Sequence, residues 1–271
     1  MTKYNSHMVV PEDLNDFLET IKTELPGLLG NVLFGIYVYG SLSYSDFEEH
    51  RSDVDVMAVI KRELNEKELA KLETWYDSSP MRQSRWISRL EMDYTVIGKL
   101  ISSTKHGAKT THFAGGKLNK KADSDGSNPI VWINIKECGI TLFGPSPKEF
   151  VPEISTALLL SALRSEFEDI EIHAPVWMKK DLWNQVYIVI TLCRIAYTLK
   201  KNKLVSKKEA GKWCLENLPK RFRPMVAIVL QKVDNFMGPL EPAITNGLPV
   251  FIAYVDKLFL DKRQHSRNPR S

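Results

Sequence analysis

The sequence predicts an α+β protein in which a small mixed sheet, with helices on one side, precedes an all-α helical bundle. Residues 11–30 repeat apolar side chains at helical spacing, and three later segments are predicted as strands, the last of which alternates apolar and polar side chains. These strand segments are residues 32–39, 53–60 and 88–97. Beyond about residue 150 the apolar spacing is helical almost throughout. We therefore predict two domains, at residues 1–150 and 151–271.

The rest of the chain divides into a loop region and a series of helices. A stretch rich in Gly, Lys, Asp and Ser at residues 105–129 predicts a long polar loop. After it we expect a short helix, a strand that ends at Phe143, and a turn at Gly144 and Pro145. The second half has four clear helical segments and a fifth candidate, at residues 158–172, 182–200, 207–218, 224–236 and 249–260.

The composition is typical of a globular protein and disfavours nucleic-acid and membrane partners. Of 271 residues, 43% are hydrophobic and 26% are charged, and the formal net charge is +4. Positive charge concentrates at residues 105–121 and in the C-terminal tail, without the interleaved aromatic side chains of a nucleic-acid groove. No apolar run approaches the roughly 18 residues that span a membrane. We expect a monomer with neither kind of partner.

The three cysteines, Cys138, Cys193 and Cys214, show no metal-ligand spacing. An odd number of cysteines inside apolar helical segments indicates reduced, buried thiols. The sequence therefore predicts a cytoplasmic protein.

Residues 37–60, YVYGSLSYSDFEEHRSDVDVMAVI, combine a strand, a Gly-Ser turn and a second strand that opens with alternating aspartates. Asp53 and Asp55 are two residues apart, so both project from the same face. Paired carboxylates are costly unless a cation lies between them, and Mg²⁺ binds oxygen ligands that it shares with phosphates. Gly40 allows close backbone approach to a phosphate, and Ser41 can donate to it. This pattern predicts a site for a nucleoside triphosphate and its metal.

A third strand adds two more carboxylates, Glu91 and Asp93, on one face. Either could complete a metal site or take a proton, whereas a solvent-facing strand residue is the alternative interpretation of Glu91. An enzyme that joins a hydroxyl group to the α-phosphorus of ATP needs a metal, in-line alignment and a carboxylate near the attacking hydroxyl. The three strands together supply the metal and base parts.

The Gly-Ser to Asp-Val-Asp pattern resembles the signature of the polymerase-β-like nucleotidyltransferases. Together with LEMDYTVI, ITLFGPSP and ITLCRIAYTLKKNKLVSKKEAGKWCLENLP, it resembles the streptomycin/spectinomycin adenylyltransferases, a family of aminoglycoside nucleotidyltransferases. The likeness runs in order over about residues 30–235 and is thin between residues 100 and 130. It implies an N-terminal nucleotidyltransferase domain and a C-terminal helical domain that closes a cleft on ATP.

The resemblance also implies roles for single residues. Mg²⁺, as two ions with ATP, would bind Asp53 and Asp55, while Gly40 and Ser41 would hold the triphosphate. The catalytic base would be Glu91.

In the helical domain the resemblance implies that Arg194 and Lys207 reach the phosphates; otherwise they would be a helix-surface arginine and a first-turn lysine. Phe236 falls near a family tyrosine that contacts the nucleotide, but core packing is the safer interpretation.

Acceptor binding is where the chain departs from the resemblance. Members that accept streptomycin use a tryptophan and acidic residues before the arginine-bearing helix, and here that region reads IHAPVWMKKDLWNQVY. Possible substrate contacts are Trp177, Asp181 and Asn184. Lys179 and Lys180 intrude among them, and packing is the alternative role of the tryptophan. The acceptor is therefore open.

The leading hypothesis is an enzyme that transfers AMP from Mg-ATP to a hydroxyl group of an aminoglycoside or aminocyclitol antibiotic, streptomycin and/or spectinomycin, with release of pyrophosphate. One alternative keeps the chemistry and changes the acceptor to a protein or a metabolite. Another is a non-catalytic nucleotide-binding module, which would not need a base such as Glu91.

Overall fold

The computed structural model describes residues 10–101, 109–233 and 238–267. The chain divides into two compact units, Met1–Leu158 and Leu159–Ser271, here called the N-terminal unit and the helical unit. Phe236 and the first residues of the predicted loop lie outside the described residues. The N-terminal unit contains a mixed sheet and the second unit is helical, so the predicted α+β class is confirmed.

The N-terminal unit is built around one six-stranded sheet with the strand order β5-β4-β3-β2-β1-β6. Strands β2 and β3 are parallel and the other neighbours are antiparallel. The strands are β1 (Leu33–Val38), β2 (Val54–Ile60), β3 (Leu90–Val96), β4 (Thr110–Ala114), β5 (Lys117–Ala122) and β6 (Ile140–Phe143). The helices are α1 (Glu12–Leu29), α2 (Gly40–Ser43), α3 (Glu66–Tyr76), α4 (Ser79–Gln83), α5 (Pro129–Cys138) and α6 (Pro147–Phe150).

Apolar clusters cover both faces of the sheet, so the prediction of helices on one side was wrong. Side chains of α1 and α3 pack on one face with Ile36 and Val56 of the central strands. Trp132 of α5 packs on the other face with Tyr37 and Met57. A strand that is buried on both faces reads as a continuous apolar run rather than an alternation, and β1 and β2 have that character.

The predicted loop at residues 105–129 was also wrong, because its described part contains the β4–β5 hairpin. Gly115 and Gly116 form the turn with φ values of 56° and 75°, the left-handed region that tight hairpin turns require. Phe113 of β4 stacks on Tyr76 of α3, with 3.6 Å between ring centroids. The hairpin therefore extends the sheet on the side of β3.

The described residues of the helical unit form five α-helices. They are α7 (Thr156–Trp177), which begins at the unit boundary, α8 (Leu182–Lys201), α9 (Lys207–Asn217), α10 (Arg223–Lys232) and α11 (Pro242–Arg267). Helix α8 is the most deeply buried, since Ile188, Val189 and Leu192 have no exposed surface. It ends at Asn202, whose left-handed conformation is typical of a helix C-cap.

One helix in the described part of the chain is long and apolar enough to cross a membrane, contrary to the expectation from the sequence. Residues 242–263 of α11 have the length and composition of a membrane-spanning helix. A third of its apolar window is buried, and Phe251 and Val255 have no exposed surface. Core helices of globular domains pass the same test, so this is weak evidence for a membrane span.

Candidate active site

The parallel register of β2 and β3 brings two carboxylates of the predicted site side by side. Asp55 is paired with Glu91 across the two strands. Asp53 comes immediately before β2, and its alternation with Asp55 places both on the sheet face that Met57 shares. Asp53, Asp55 and Glu91 thus lie together on one face of the sheet, where β2 and β3 begin, as the sequence predicts.

The carboxylates at the beginning of β2 and β3 repel one another. Glu91 keeps contact with solvent, yet burial of its carboxylate raises its pKa, and the charge of Asp53 adds to the effect. Burial, followed by the charges of Asp93 and Asp55, also holds the pKa of Tyr39 well above its usual value, so this phenol stays neutral. The accumulated negative charge makes this end of β2 and β3 suitable for binding a cation.

Gly40 is required by the position of Asp55. Its φ is 66°, and a Cβ atom there would lie 2.0 Å from Oδ2 of Asp55. The preceding amide, of Tyr39, donates to the Asp55 carbonyl over 3.0 Å. Gly40 therefore lets the end of β1 pass against the carboxylate.

The Gly-Ser turn is held from behind by Asn134 of α5. The Gly40 N–H donates to Oδ1 of Asn134 over 2.8 Å, so this amide already has a partner. Asn134 also exchanges hydrogen bonds with the Ser43 hydroxyl. The Ser41 hydroxyl, in contrast, is buried and has no hydrogen-bond partner among the described residues.

Sequence reasoning missed Asn134, although a buried asparagine in the apolar segment PIVWINIKEC is a signal that could have been noticed.

Asp93 is hydrogen-bonded to a histidine, His112, which sequence reasoning also missed. Its side chain is buried, and its Oδ1 lies 2.9 Å from Nδ1 of His112 on β4. Thr110 donates to the same oxygen over 3.2 Å. Of the two roles that the sequence leaves open for Asp93, metal ligand or proton acceptor, neither is favoured by an oxygen with two donors. His112 could not be found because its strand was predicted as a loop.

Arg89 holds the loop that leads into Asp53. Its guanidinium donates to the Glu49 carbonyl over 2.6 Å and also to the carbonyl of Ser52. Trp86 packs under it, with 4.9 Å between the guanidinium carbon and the ring centroid. These bonds fix the loop backbone directly before Asp53.

The predicted phosphate-binding residues of the helical unit lie on two adjacent helices. Arg194 is a half-buried residue of α8, and its carbonyl accepts a hydrogen bond from Thr198. Lys207 is the first residue of α9, which Ser206 caps. Helices α8 and α9 pack together through Cys193 and Cys214, and the Cys214 thiol donates to the Cys193 carbonyl.

The possible acceptor contacts cluster where α7 ends and α8 begins. Asp181 caps α8 by accepting hydrogen bonds from the backbone and the side chain of Asn184. The Asn184 bond, followed by the charge of Lys180, lowers the pKa of Asp181. Trp177 stacks against His173, with 4.7 Å between ring centroids. All three residues therefore have structural partners.

The carboxylates at the beginning of β2 and β3 are suitable ligands for a metal ion. The described residues contain no group of three or more His, Cys, Asp or Glu side chains that could hold a metal ion by themselves. Mg²⁺ does not require one, since it is typically bound by one or two carboxylates together with substrate phosphates. The Asp53 and Asp55 carboxylates are donors of that kind.

Comparison with known proteins gives consistent relatives over most of the chain. Residues 149–237 match the family model "Aminoglycoside adenylyltransferase, C-terminal domain". A spectinomycin 9-adenylyltransferase from Campylobacter jejuni is 24% identical over 228 residues, 80% of this chain and 82% of that protein. An aminoglycoside (3'')(9) adenylyltransferase from Escherichia coli is 22% identical over 256 residues, 87% of this chain and 93% of that protein.

A solved structure shares the fold. It is spectinomycin adenyltransferase AAD(9) from Enterococcus faecialis with ATP and spectinomycin, and the match has a TM-score of 0.68 at 16% identity. It covers 90% of this chain and 98% of that one. The resemblance to the aminoglycoside adenylyltransferases that was found in the sequence is confirmed, and these relatives identify the chain as a nucleotidyltransferase.

Proposed function

We propose that the chain transfers AMP from Mg-ATP to a hydroxyl group of an aminocyclitol or aminoglycoside and releases pyrophosphate. The observation that carries the proposal is the pairing of Glu91 with Asp55 across parallel strands, with Asp53 beside them. A carboxylate of raised pKa next to a metal-binding pair is the arrangement that hydroxyl attack on a nucleoside triphosphate requires.

Glu91 is the general base in this proposal. Its raised pKa makes it a better proton acceptor than an ordinary glutamate. As Glu91 takes the proton of the acceptor hydroxyl, the oxygen bonds to the α-phosphorus of ATP. The bond from that phosphorus to the β-phosphate oxygen breaks, and pyrophosphate leaves.

Asp53 and Asp55 would hold Mg²⁺, which neutralises the triphosphate when bound. Ser41 would donate to a phosphate oxygen, because its buried hydroxyl has no partner among the described residues. Gly40 contributes because it has no side chain, whereas its backbone N–H already donates a hydrogen bond to Asn134. Arg194 and Lys207 belong to the proposal as further phosphate-binding residues.

Spectinomycin is the first acceptor to test and streptomycin the second. The relatives named above are spectinomycin and aminoglycoside adenylyltransferases. A guanidinium-bearing acceptor such as streptomycin needs carboxylates when it is desolvated. At the start of α8 the one predicted acid, Asp181, is bonded to Asn184 and follows two lysines.

The test is pyrophosphate release from Mg-ATP with spectinomycin, streptomycin, other aminoglycosides and a lincosamide. We expect turnover with spectinomycin that is lost in Asp53→Ala, with Asp77→Ala as an exposed aspartate control. Absence of turnover with every member of the panel, while ATP still binds, would reject the antibiotic acceptor. Turnover unaffected by Asp53→Ala would reject the site.

A further inference from the structure

The Asp93–His112 pair shares the sheet face of Glu91, yet the proposed reaction does not use it. Asp93 is two residues beyond Glu91 on β3, and the antiparallel register places His112 of β4 directly opposite Asp93. Glu91 and His112 are therefore diagonal neighbours on adjacent strands, whose Cα atoms are typically about 7–8 Å apart. Long polar side chains can interact at that spacing.

The ring of His112 is held in one orientation. Nδ1 lies 2.9 Å from Oδ1 of Asp93, whose side chain is only 3% exposed. Thr110 donates to the same oxygen and lies 2.5 Å from the Ser124 hydroxyl, which fixes Asp93 in turn. With Nδ1 used by Asp93, the second nitrogen, Nε2, is directed away from Asp93 and has no hydrogen-bond partner among the described residues.

We propose that His112, oriented by Asp93, is a positioning residue for the Glu91 carboxylate. The inference rests on the proposed function and adds a residue to its site. An imidazole at this place acts on Glu91 from the side opposite Asp55, so that the carboxylate is held between the metal-binding strand and the hairpin. The acceptor hydroxyl then meets a base with a fixed orientation.

Charges around His112 support an interaction with Glu91. The charged groups that face His112 are Asp93 and Glu91 on β3 and Asp125 before α5. Strand alternation also puts Lys117 of β5 on its face. Burial alone lowers the pKa of His112, but the hydrogen bond and charge of Asp93, followed by Glu91 and Asp125, raise it. His112 in turn lowers the pKa of Glu91.

Two substitutions distinguish the roles of the two ring nitrogens of His112. The amide of His112→Asn can still reach Asp93 from the position of Nδ1 but cannot replace Nε2, whereas the longer amide of His112→Gln reaches the place of Nε2. We expect kcat to fall about 10- to 100-fold in His112→Asn, with KM for ATP nearly unchanged, and to recover in part in His112→Gln. Lys120→Asn removes a charge from the opposite face of the same hairpin and is the control.

A second readout does not depend on turnover. The pKa of His112, measured by NMR in metal-free protein, should fall in Glu91→Gln, because a neutral amide no longer stabilises the imidazolium. An unchanged pKa, or a His112→Asn variant with the kcat of the wild type, would overturn the inference. Wild-type protein without turnover on any acceptor would instead reject the proposed function, while the NMR shift still reports the interaction.

Discussion

The two units of this chain place the charged residues of the proposed site by different physical means. In the N-terminal unit, strand register fixes Asp55 opposite Glu91, and backbone alternation puts Asp53 on the same face. In the helical unit, Arg194 and Lys207 lie on separate helices, where their long side chains have several rotamers. Rigid placement is suited to a base and metal ligands, and flexible cations are suited to binding phosphates. Substitutions in the first unit should therefore affect chemistry, and those in the second should affect binding.

The largest effect is expected for Asp55→Asn. The substitution removes a charge from the predicted metal pair at the position that faces Glu91. We expect pyrophosphate release to fall by at least about 1,000-fold, because charge neutralisation at the triphosphate is lost. Steady-state pyrophosphate release measures it, and Asp77→Asn, on an exposed turn, should stay active. Activity within tenfold of the wild type would mean that strand register does not place the metal site.

Gly40→Ala tests the same unit through its backbone. A Cβ atom would lie 2.0 Å from the Asp55 carboxylate, and the left-handed φ adds strain. We expect kcat to fall about 100-fold, since a displacement near 1 Å has effects of that size. Gly27→Ala in α1 is the control, because a Cβ atom there meets nothing within 4 Å. Equal loss of activity in both variants would point to folding rather than to Asp55.

Arg194→Ala and Lys207→Ala test the helical unit. If these cations bind phosphates, each variant should raise KM for ATP about tenfold and change kcat less, since a charge-assisted hydrogen bond contributes roughly 1.5–3 kcal/mol. Initial-rate kinetics with ATP varied would measure both constants, and Lys212→Ala on α9 serves as the control. A loss confined to kcat would contradict the contrast between the two units.

The smallest effect is a pH dependence of stability. The pKa of His112 is raised above its ordinary value of 6.5 in the folded protein, so the folded state binds the proton more tightly. This stabilisation is complete below the unfolded pKa and is lost as the pH rises through the folded pKa. Urea unfolding should therefore show a larger difference between wild type and His112→Asn at about pH 5.5 than at about pH 9. A difference that does not vary with pH would contradict the ionic pairing with Asp93.

The sequence predicted the part of the site that depends on strand alternation. Asp53, Asp55 and Glu91 could be placed on one face because each follows a period of two along its strand. Asn134 and His112 could not, because their contacts join segments 94 and 19 residues apart and depend on packing. The Gly115-Gly116 turn was a hairpin signal obscured by the polar residues around it.

Other expectations stay predictions. They include the domain boundary at residue 150, a helical domain that closes a cleft, and the cytoplasmic monomer. Arg194 and Lys207 were named only from the family resemblance, since a cation on a helix surface carries no local signal of its role.

In the proposed reaction Glu91, the carboxylate placed opposite Asp55, is the base for adenylyl transfer. The most direct measurement compares transfer of label from α-labelled ATP to spectinomycin by the wild type and by Glu91→Gln, with ATP affinity determined for both. We predict that the variant loses about 100- to 10,000-fold in rate and binds Mg-ATP with nearly the wild-type affinity. Transfer by Glu91→Gln at a rate close to that of the wild type would contradict the role of Glu91 as the base.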